Sequence, residues 1–239
     1  VVIDPRYSWN EPLRTADLIV RADTATTLDG MRAMLEQQRS RAFLDRWFSA
    51  DEAACATISE ELDPETPSAG RVHRLLSDLL RDGDLVYTAS SMAIRDQEHF
   101  VEGSDADLLF LANRGANGID GLLASGIGAA VATGRPTTVI TGDLGFQHDV
   151  GSLALVSSAM APLRIFVLND GGGSIFSRLP QKQAMGEDEF RTLMTTPGDL
   201  SVEAAADLFG LPYRRVTDLS LLVQAHEAGT GIIEIPLEN

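Results

Sequence analysis

Two acidic residues of this sequence stand where an apolar segment meets glycine. Asp143 lies in TTVITGDLGFQHD, and Asp170 lies in LRIFVLNDGGG. A carboxylate at the end of a buried strand loses hydration, and this loss costs free energy unless a partner satisfies the charge. Mg²⁺ typically binds one or two carboxylates and completes its coordination with water and phosphate oxygens. The two aspartates therefore indicate a magnesium site that also holds a phosphorylated ligand.

The segments around these aspartates alternate between apolar strands and helices. We predict helices over residues 70–80, 120–134, 151–160, 201–210 and 218–229, and strands over residues 85–90, 107–113, 136–143, 163–170, 213–216 and 231–237. This alternation is typical of the α/β class, with a doubly wound parallel sheet and helices on both faces. In such sheets ligands bind outside the carboxyl ends of the strands, where both aspartates are expected.

The spacing of the two aspartates matches one strand–helix–strand crossover. A right-handed crossover brings the ends of two parallel strands side by side. The three glycines after Asp170 permit unusual backbone angles and a close approach to a ligand. Gly-Asp and Asn-Asp-Gly are also common turn formers, so either segment alone is better explained as a turn. The two segments together, at this spacing, favour the cation site.

Composition and charge exclude several classes of protein. The 239 residues are 44% hydrophobic and 23% charged, as in a globular protein with one good-sized domain and a smaller piece. The formal charge of −16 argues against nucleic acid and anionic membrane surfaces as partners. No stretch reaches the roughly 20 apolar residues of a membrane span. Cys55 is the only cysteine, which excludes an intrachain disulfide and a cysteine-based zinc site and is consistent with the cytoplasm.

The first part of the chain is too short for a complete domain. Within residues 1–35, VVIDP, DLIVRAD and TTLDGMRAML are interpreted as strand, strand and helix, with Thr27 as a candidate helix cap. RSRAFLDRWFSADEAACATISEEL is polar and helix-prone, and DPETPSAG then breaks the pattern, so we interpret residues 36–67 as a linker before a domain over residues 68–239. The sequence begins with neither Met nor a signal peptide, and we interpret its start as a cut within a longer protein.

GDLGFQHD followed by LNDGGG resembles the signature of thiamine diphosphate enzymes, a Gly-Asp-Gly that leads to Asn-Asn one crossover later. The resemblance implies that Mg²⁺, or Mn²⁺ in its place, is bound by Asp143, Asp170 and the main-chain carbonyl of Gly172. The cation then holds the diphosphate of the cofactor. Leu144 departs from the last glycine of Gly-Asp-Gly, which leaves the member of the family open.

Four motifs over residues 90–181 indicate which thiamine diphosphate enzymes the sequence resembles. SSMAIRD, NRGANGIDG, GDLGFQHD and NDGGGSIFSRLPQ together resemble the MenD family, the 2-succinyl-5-enolpyruvyl-6-hydroxy-3-cyclohexene-1-carboxylate synthases of menaquinone biosynthesis. Within that family a leucine at position 144 is expected. The resemblance implies an enzyme of the transferase class that decarboxylates 2-oxoglutarate and adds the resulting succinyl carbanion to isochorismate.

The same resemblance implies a domain layout and an assembly. Residues 1–35 correspond to the tail of the family's central domain, residues 36–67 to a linker and residues 68–239 to the diphosphate-binding domain. The family's pyrimidine-binding domain, which supplies a glutamate to the cofactor, is absent from this sequence, so the chain alone is expected to be inactive. A homodimer or homotetramer is implied, in which the pyrimidine-binding domain of another subunit completes each site.

The resemblance also assigns roles to individual residues. Ile119 aligns with the apolar residue that forces the two cofactor rings into a V, and Arg95 and Arg114 are candidates for the substrate carboxylates, because a guanidinium offers two parallel donors. These three are the candidate catalytic residues. The cofactor-binding candidates are Ser90, Ser91, Gly142, Asp143, Leu144, Asp170, Gly172, Gly173 and Ile175, and the substrate-binding candidates are Ser91, Arg95, Arg114, Ile175 and Phe176. From the residues alone, each role has an alternative. The apolar residues are equally consistent with core packing, the arginines with ordinary surface positions, and the serines with the capping of a turn.

Other functions also remain open on the sequence. One is a different thiamine diphosphate enzyme, either acetolactate synthase-like or a 2-oxo acid decarboxylase, and another is a non-catalytic diphosphate-binding subunit that needs a partner chain. His148 and Asp149 are neighbours in sequence, which rarely have the geometry of a catalytic dyad, so we assign them to a helix start. His73, His99 and His226 lack metal-ligand spacing and are expected to be structural or solvated.

Overall fold

The computed structural model describes residues 1–6, 8, 11–34, 41–62, 66–113 and 116–237. The chain divides into two compact units, Val1–Ala56 and Thr57–Asn239. Arg114, a predicted catalytic and substrate-binding residue, lies outside the described residues. In the described part of the chain, no helix is both long enough and apolar enough to cross a membrane.

The first unit contains two short parallel strands and helical segments. Strands β1 (Val2–Ile3) and β2 (Ile19–Val20) pair in parallel, and helix α1 (Thr24–Met34) follows. Helix α2 (Ala42–Glu61) begins in this unit and ends in the second. Both strands and α1 match the segments predicted from the sequence.

The start of α1 differs from the prediction. The helix begins at Thr24, so Thr27 lies inside it and is not its cap. The Asp23 carboxylate accepts a 2.8 Å hydrogen bond from the backbone N–H of Thr26 and thus satisfies a donor of the first turn. The Thr27 hydroxyl instead donates to the carbonyl oxygen of Asp23. Asp23 is therefore the capping residue, because its short acidic side chain reaches the free N–H groups.

A parallel sheet forms the centre of the second unit. In the described part of the unit it has six strands, in the order β4-β3-β5-β6-β8-β7. Their bounds are β3 Leu85–Thr88, β4 Leu109–Leu111, β5 Thr137–Gly142, β6 Leu163–Asn169, β7 Tyr213–Arg215 and β8 Gly231–Pro236. Helices lie on both sides of this sheet, which confirms the predicted α/β fold.

The helices of the second unit are α3 Ala69–Leu79, α4 Met92–Phe100, α5 Leu122–Thr133, α6 Asp143–His148, α7 Gln181–Ala184, α8 Glu187–Phe190, α9 Val202–Leu208 and α10 Leu222–Glu227. Four of them, α3, α5, α9 and α10, follow predicted segments. Helices α4, α6, α7 and α8 were not predicted. Ser91 before α4 makes no side-chain capping bond, and α6, α7 and α8 are short, with six, four and four residues.

The helix predicted over residues 151–160 is a 3₁₀ helix instead, over Val150–Ser158. In its first turn the Ser152 N–H donates a 3.0 Å hydrogen bond to the carbonyl of Asp149, three residues earlier, which is the 3₁₀ pattern. Gly151 and Ser152 are poor α-helix formers, and the Ser152 hydroxyl also bonds the Asp149 carboxylate at 2.7 Å. These local bonds favour the tighter turn.

The strand order places four strand ends side by side. Strands β3, β5, β6 and β8 are neighbours and parallel, with Gly142 opposite Leu168 and Asn169 opposite Pro236. After β4 the chain crosses to the other side of β3 to form β5, so the winding reverses between β3 and β5. A crevice at such a reversal is the usual ligand site of a doubly wound sheet.

Large apolar side chains hold this edge in place. Phe146 of α6 and Phe166 of β6 are fully buried, and they belong to one core with Leu122 of α5. Burial of a Phe or Leu side chain contributes about 1.5–3 kcal/mol. The core therefore fixes the elements that carry Asp143 and Asp170.

Candidate functional site

A cavity of about 1110 Å³ opens at the carboxyl ends of the central strands, within the second unit. Eleven of the thirteen predicted site residues line it: Ser90, Ser91, Ile119, Gly142, Asp143, Leu144, Asp170, Gly172, Gly173, Ile175 and Phe176. Arg95 does not line it. The sheet thus brings together residues that the sequence places on four separate segments.

Asp143 is the first residue of α6, directly after β5. Burial, together with the negative charge of Asp170, raises the pKa of Asp143 to about 6. The N–H groups of Leu144 and Gly172 donate hydrogen bonds to the carboxylate and act in the opposite direction. A raised carboxyl pKa means that the ionised form lacks sufficient compensation in the protein alone.

Asp170 follows β6 and lies within electrostatic range of Asp143. Burial raises the pKa of Asp170, while hydrogen bonds from the Ser174 hydroxyl and the Gly172 N–H lower it. Two half-buried carboxylates in one cavity repel each other in their ionised forms. A divalent cation between them would remove this repulsion.

Glycines 171–173 give the segment after Asp170 its shape. Gly171 and Gly172 have positive φ angles of 76° and 135°. A Cβ on Gly172 would lie 2.5 Å from the carbonyl oxygen of Thr195, so the close approach of these two backbones requires glycine. The Gly173 N–H donates a 2.7 Å hydrogen bond to the same Thr195 oxygen. The glycine segment is thus fixed against residues near Thr195.

A buried glutamate is connected by hydrogen bonds to the glycine segment 171–173. Glu234 of β8 is 5% exposed and accepts a 2.7 Å hydrogen bond from the side-chain amide of Asn169. The side-chain Oδ1 of Asn169 in turn accepts a hydrogen bond from the Gly171 N–H at 3.2 Å. Tyr213 donates its hydroxyl to the second oxygen of Glu234. Burial and this bond raise the pKa of Tyr213, so the phenol stays protonated.

Ser91 occupies an unusual backbone conformation at the start of α4, with φ 74° and ψ −133°. Its carbonyl oxygen accepts a 2.6 Å hydrogen bond from the Arg95 guanidinium. A serine rarely adopts a positive φ, and such strain concentrates at functional sites. Arg95 therefore contacts the cavity wall through Ser91.

Gly118 allows Ser90 to approach the segment that carries Ile119. A Cβ on Gly118 would lie 2.2 Å from the Ser90 hydroxyl oxygen. Ile119 is half-buried, and its N–H bonds the side chain of Asn117 at 3.2 Å. Ile119, Ile175 and Phe176 give the cavity an apolar portion next to the carboxylates.

The donor set at this edge fits a hard divalent cation. Among the described residues, no cluster of three or more His, Cys, Asp or Glu side chains could hold a metal. Two carboxylates are nevertheless sufficient for Mg²⁺ when a backbone carbonyl, water and phosphate oxygens complete the set. The Gly172 carbonyl accepts one hydrogen bond, from the Ser174 N–H at 3.1 Å, and retains a second lone pair.

A family comparison shows to which family this chain belongs. The model "Thiamine pyrophosphate enzyme, C-terminal TPP binding domain" matches residues 106–231, which is more than half of the chain. The chain belongs to the thiamine pyrophosphate enzyme family. Thiamine pyrophosphate is thiamine diphosphate, and the match includes β4 to β7 with both aspartates and the glycine segment.

Curated relatives show which thiamine pyrophosphate enzymes this chain is similar to. Proteins named 2-succinyl-5-enolpyruvyl-6-hydroxy-3-cyclohexene-1-carboxylate synthase are 33% identical in Bacillus pumilus, 36% in Geobacillus kaustophilus and 34% in Myxococcus xanthus. The matches cover 98%, 88% and 95% of this chain and 41%, 36% and 40% of those proteins. The chain thus spans about two fifths of its relatives' length, and the resemblance to the MenD family is confirmed.

The candidate site also contains residues that the sequence did not reveal. Asp96, Arg178, Lys182 and Arg191 line the cavity, and Glu234 supports it from the sheet. Arg178 lies inside the motif NDGGGSIFSRLPQ, where its position among site residues was a usable signal. Glu234 had none, because a single acidic residue in an apolar strand does not show which partner it meets.

Two predictions outside the cavity are corrected in part. His148 ends α6, so it does not start a helix, and its Nε2 lies 2.7 Å from the Asp120 carboxylate on the surface. Asp149 directly precedes the 3₁₀ helix Val150–Ser158 and so starts a helix as predicted. Its carboxylate also accepts a 2.9 Å hydrogen bond from the Ala124 N–H in the first turn of α5. A helix cap that is distant in sequence from its helix depends on tertiary packing.

Proposed function

We propose that this chain is the diphosphate-binding part of an enzyme that decarboxylates 2-oxoglutarate and transfers the succinyl unit to isochorismate. The observation that carries the proposal is the pair of half-buried carboxylates, Asp143 and Asp170, in the cavity of a thiamine pyrophosphate domain. The names of the curated relatives support the choice of reaction. Menaquinone biosynthesis is the corresponding pathway.

The acidic edge would hold the cofactor through a divalent cation. Asp143, Asp170 and the carbonyl of Gly172 are the proposed ligands, with Mg²⁺ preferred and Mn²⁺ as the alternative. Ser90, Ser91, Gly142, Leu144 and Gly173 line the same end and are the proposed contacts of the cofactor. When bound, thiamine diphosphate supplies the electron sink for cleavage and formation of carbon–carbon bonds.

The apolar side chains would orient the reactants and exclude water. Ile119 is the proposed support that brings the two cofactor rings together, and Ile175 and Phe176 form the wall against the substrate. A dry cavity strengthens the electrostatic interactions inside it and protects a reactive carbon from protonation. These three side chains are all half-buried, as this role requires.

Arg95 and Arg114 remain proposed substrate-binding and catalytic residues. Arg95 could act through Ser91, whose carbonyl it contacts. We also propose the predicted division into residues 1–35, 36–67 and 68–239, a cytoplasmic location, and a homodimer or homotetramer in which another subunit's pyrimidine-binding domain completes the site. The relatives' greater length supports the need for a further domain.

Calorimetric titration with thiamine diphosphate and Mg²⁺ tests the proposal, on this chain and on the full-length protein that its gene encodes. We expect binding that requires Mg²⁺ and is abolished by Asp143→Ala. Asp207→Ala is the matched control, because Asp207 is exposed on α9 and does not line the cavity. Cofactor affinity that is equal in Asp143→Ala and the unmodified protein would contradict the metal assignment.

Product analysis tests the reaction itself. The full-length protein should release CO₂ from 2-oxoglutarate and, when isochorismate is present, yield a new adduct detectable by mass spectrometry. Release of CO₂ without an adduct would instead indicate a 2-oxo acid decarboxylase. Cofactor binding without any turnover in the full-length protein would indicate a non-catalytic subunit.

A further inference from the structure

Three cationic side chains line the cavity on a single segment of the chain. Arg178, Lys182 and Arg191 belong to the stretch that runs from the 3₁₀ helix Ser174–Arg178 through α7 and α8 to the π-helix Arg191–Thr195. Among the described residues that line the cavity, these three are the cationic ones. We call Arg178, Lys182 and Arg191 the cationic wall.

The charge of Arg178 reaches into the cavity. Asp96 of α4 is 4% exposed and lines the same space. Burial raises the pKa of Asp96, and Arg178 provides the largest opposing effect, which lowers it. The two residues come from opposite sides of the glycine segment in sequence. Arg178 is exposed, lines the cavity and lies close enough to Asp96 for its charge to act on that carboxyl group.

Local contacts hold the Lys182 side chain and the backbone of Arg191. The Lys182 ammonium lies 5.9 Å from the ring centroid of Phe190, which is 5% exposed. A cation near an aromatic face is attracted by the ring, which limits its freedom. The Arg191 carbonyl accepts hydrogen bonds from the Thr196 N–H at 2.9 Å and the Thr195 hydroxyl at 2.9 Å.

The segment is also tied to the carboxylate end of the site. The Gly173 N–H donates to the Thr195 carbonyl, directly beyond Gly172. This bond fixes the end of the π-helix against the glycine segment. The cationic wall is therefore set at a defined position relative to Asp143 and Asp170, and a ligand anchored at the aspartates would meet it.

We propose that the cationic wall binds carboxylate groups of the substrates, with Arg178 as the main contact. This inference rests on the proposed function. The name of the product formed by the relatives contains three acid groups, in its succinyl, enolpyruvyl and 1-carboxylate parts. A chain with a net charge of −16 needs local cations to hold such a molecule. Arginine suits this role because its planar donors match a carboxylate.

The test compares single substitutions with a matched control in the full-length protein. Arg178→Gln, Lys182→Gln and Arg191→Gln each remove one positive charge of the wall. Arg214→Gln is the control, because Arg214 is exposed on β7, does not line the cavity and carries the same charge. Each variant is titrated calorimetrically with propane-1,2,3-tricarboxylate as a non-reacting probe, and separately with thiamine diphosphate and Mg²⁺.

We expect Arg178→Gln to weaken probe binding about tenfold to a hundredfold, as for loss of a charge-assisted hydrogen bond. Lys182→Gln and Arg191→Gln should weaken it less, and Arg214→Gln should not change it. Cofactor affinity should stay the same in all four variants. Kinetics with each substrate then identify the source of the bound carboxylate, through a raised KM for 2-oxoglutarate or for isochorismate.

Equal probe affinity in Arg178→Gln and Arg214→Gln would overturn the inference. An equal loss in both would overturn it as well, since that result reflects net charge alone. The probe requires no turnover, so its result stands even when the full-length protein forms no product from 2-oxoglutarate and isochorismate. Failure of the proposed function and failure of this inference are therefore observed separately.

Discussion

The side-chain amide of Asn169 donates a 2.7 Å hydrogen bond to the carboxylate of Glu234, across the neighbouring strands β6 and β8. The other end of the Asn169 amide accepts from the Gly171 N–H. A single side chain thus connects a buried carboxylate of the sheet to the glycine segment beside Asp170. This connection orients a proposed metal ligand from a residue that itself lies outside the cavity lining.

Replacement of Glu234 should therefore weaken cofactor binding at a distance. Glu234→Leu leaves the Asn169 amide and the Tyr213 hydroxyl without their acceptor, so we expect Mg²⁺-dependent affinity for thiamine diphosphate to fall at least about tenfold. Glu234→Gln keeps one acceptor oxygen and should recover part of the loss. Tyr213→Phe is the control, because it leaves the Asn169 bond in place. Calorimetric affinities for the three variants that do not differ would contradict this positioning role.

Gly172→Ala should distort the backbone of the glycine segment 171–173. The φ angle of 135° and the 2.5 Å approach of a Cβ to the Thr195 carbonyl leave no relaxed position for a methyl group. Strain of this kind costs on the order of 1–3 kcal/mol. Urea unfolding and cofactor titration should both report a loss.

Gly128→Ala is the matched control for that substitution. Gly128 lies inside α5 with open space around it, and alanine there should stabilise the helix by about 1 kcal/mol. A Gly172→Ala variant as stable as the unmodified protein, with equal cofactor affinity, would show that the segment can move freely.

Gly118→Ala should weaken cofactor binding because it displaces the Ser90 side chain. The new methyl group would lie 2.2 Å from the Ser90 hydroxyl oxygen and force this side chain away from its position in the cavity wall. We expect Gly118→Ala to weaken cofactor binding as much as Ser90→Ala does, and the double variant to be no worse than Ser90→Ala. A double-mutant cycle measures this coupling. Additive losses would mean that the two residues act independently.

The contribution of His73 and His226 to the free energy of unfolding should decrease as the pH falls below about 6.5, while the raised carboxyl pKa of Asp143 acts in the opposite direction. Burial lowers the pKa of His73 to about 4, and burial with the nearby Arg164 and Arg81 lowers the pKa of His226 to about 4. Between these values and the unfolded value of about 6.5, the unfolded chain binds more protons, so acid favours unfolding. Each histidine contributes a slope of up to about 1.4 kcal/mol per pH unit.

Urea titrations between pH 4 and 7 check this prediction. His73→Leu should remove the His73 share of the slope, because leucine cannot bind a proton. His99→Gln removes an exposed histidine and serves as the comparison. Identical slopes for His73→Leu and the unmodified protein would show that His73 is protonated as easily in the folded state as in the unfolded chain.

Much of the fold could be predicted because its signals are local. The apolar runs at residues 136–143 and 163–170 predicted β5 and β6, and the structure pairs them in parallel as expected. The predictions failed where a local signal was absent or misleading. Helix α4 has no side-chain cap, Thr27 is inside α1, and residues 150–158 form a 3₁₀ helix because short polar bonds compete with the α-helical pattern.

The candidate site divides in the same way. Asp143, Asp170 and Gly172 are recognisable because turn chemistry and motif spacing place them at strand ends. The substrate-binding role of Arg95 stays a prediction; its guanidinium contacts the Ser91 carbonyl, and Arg95 does not itself line the cavity. A residue's position in a motif does not determine the direction of a long, flexible side chain.

The sequence by itself determined the parallel α/β architecture, the family and the pair of strand-end aspartates, because these depend on hydrophobic periodicity and on residues close together in the chain. Only the tertiary structure decided that Glu234 holds Asn169 and that Arg178, Lys182 and Arg191 line the cavity. Such contacts join residues from distant segments. They arise from strand order and side-chain packing, which no local pattern specifies.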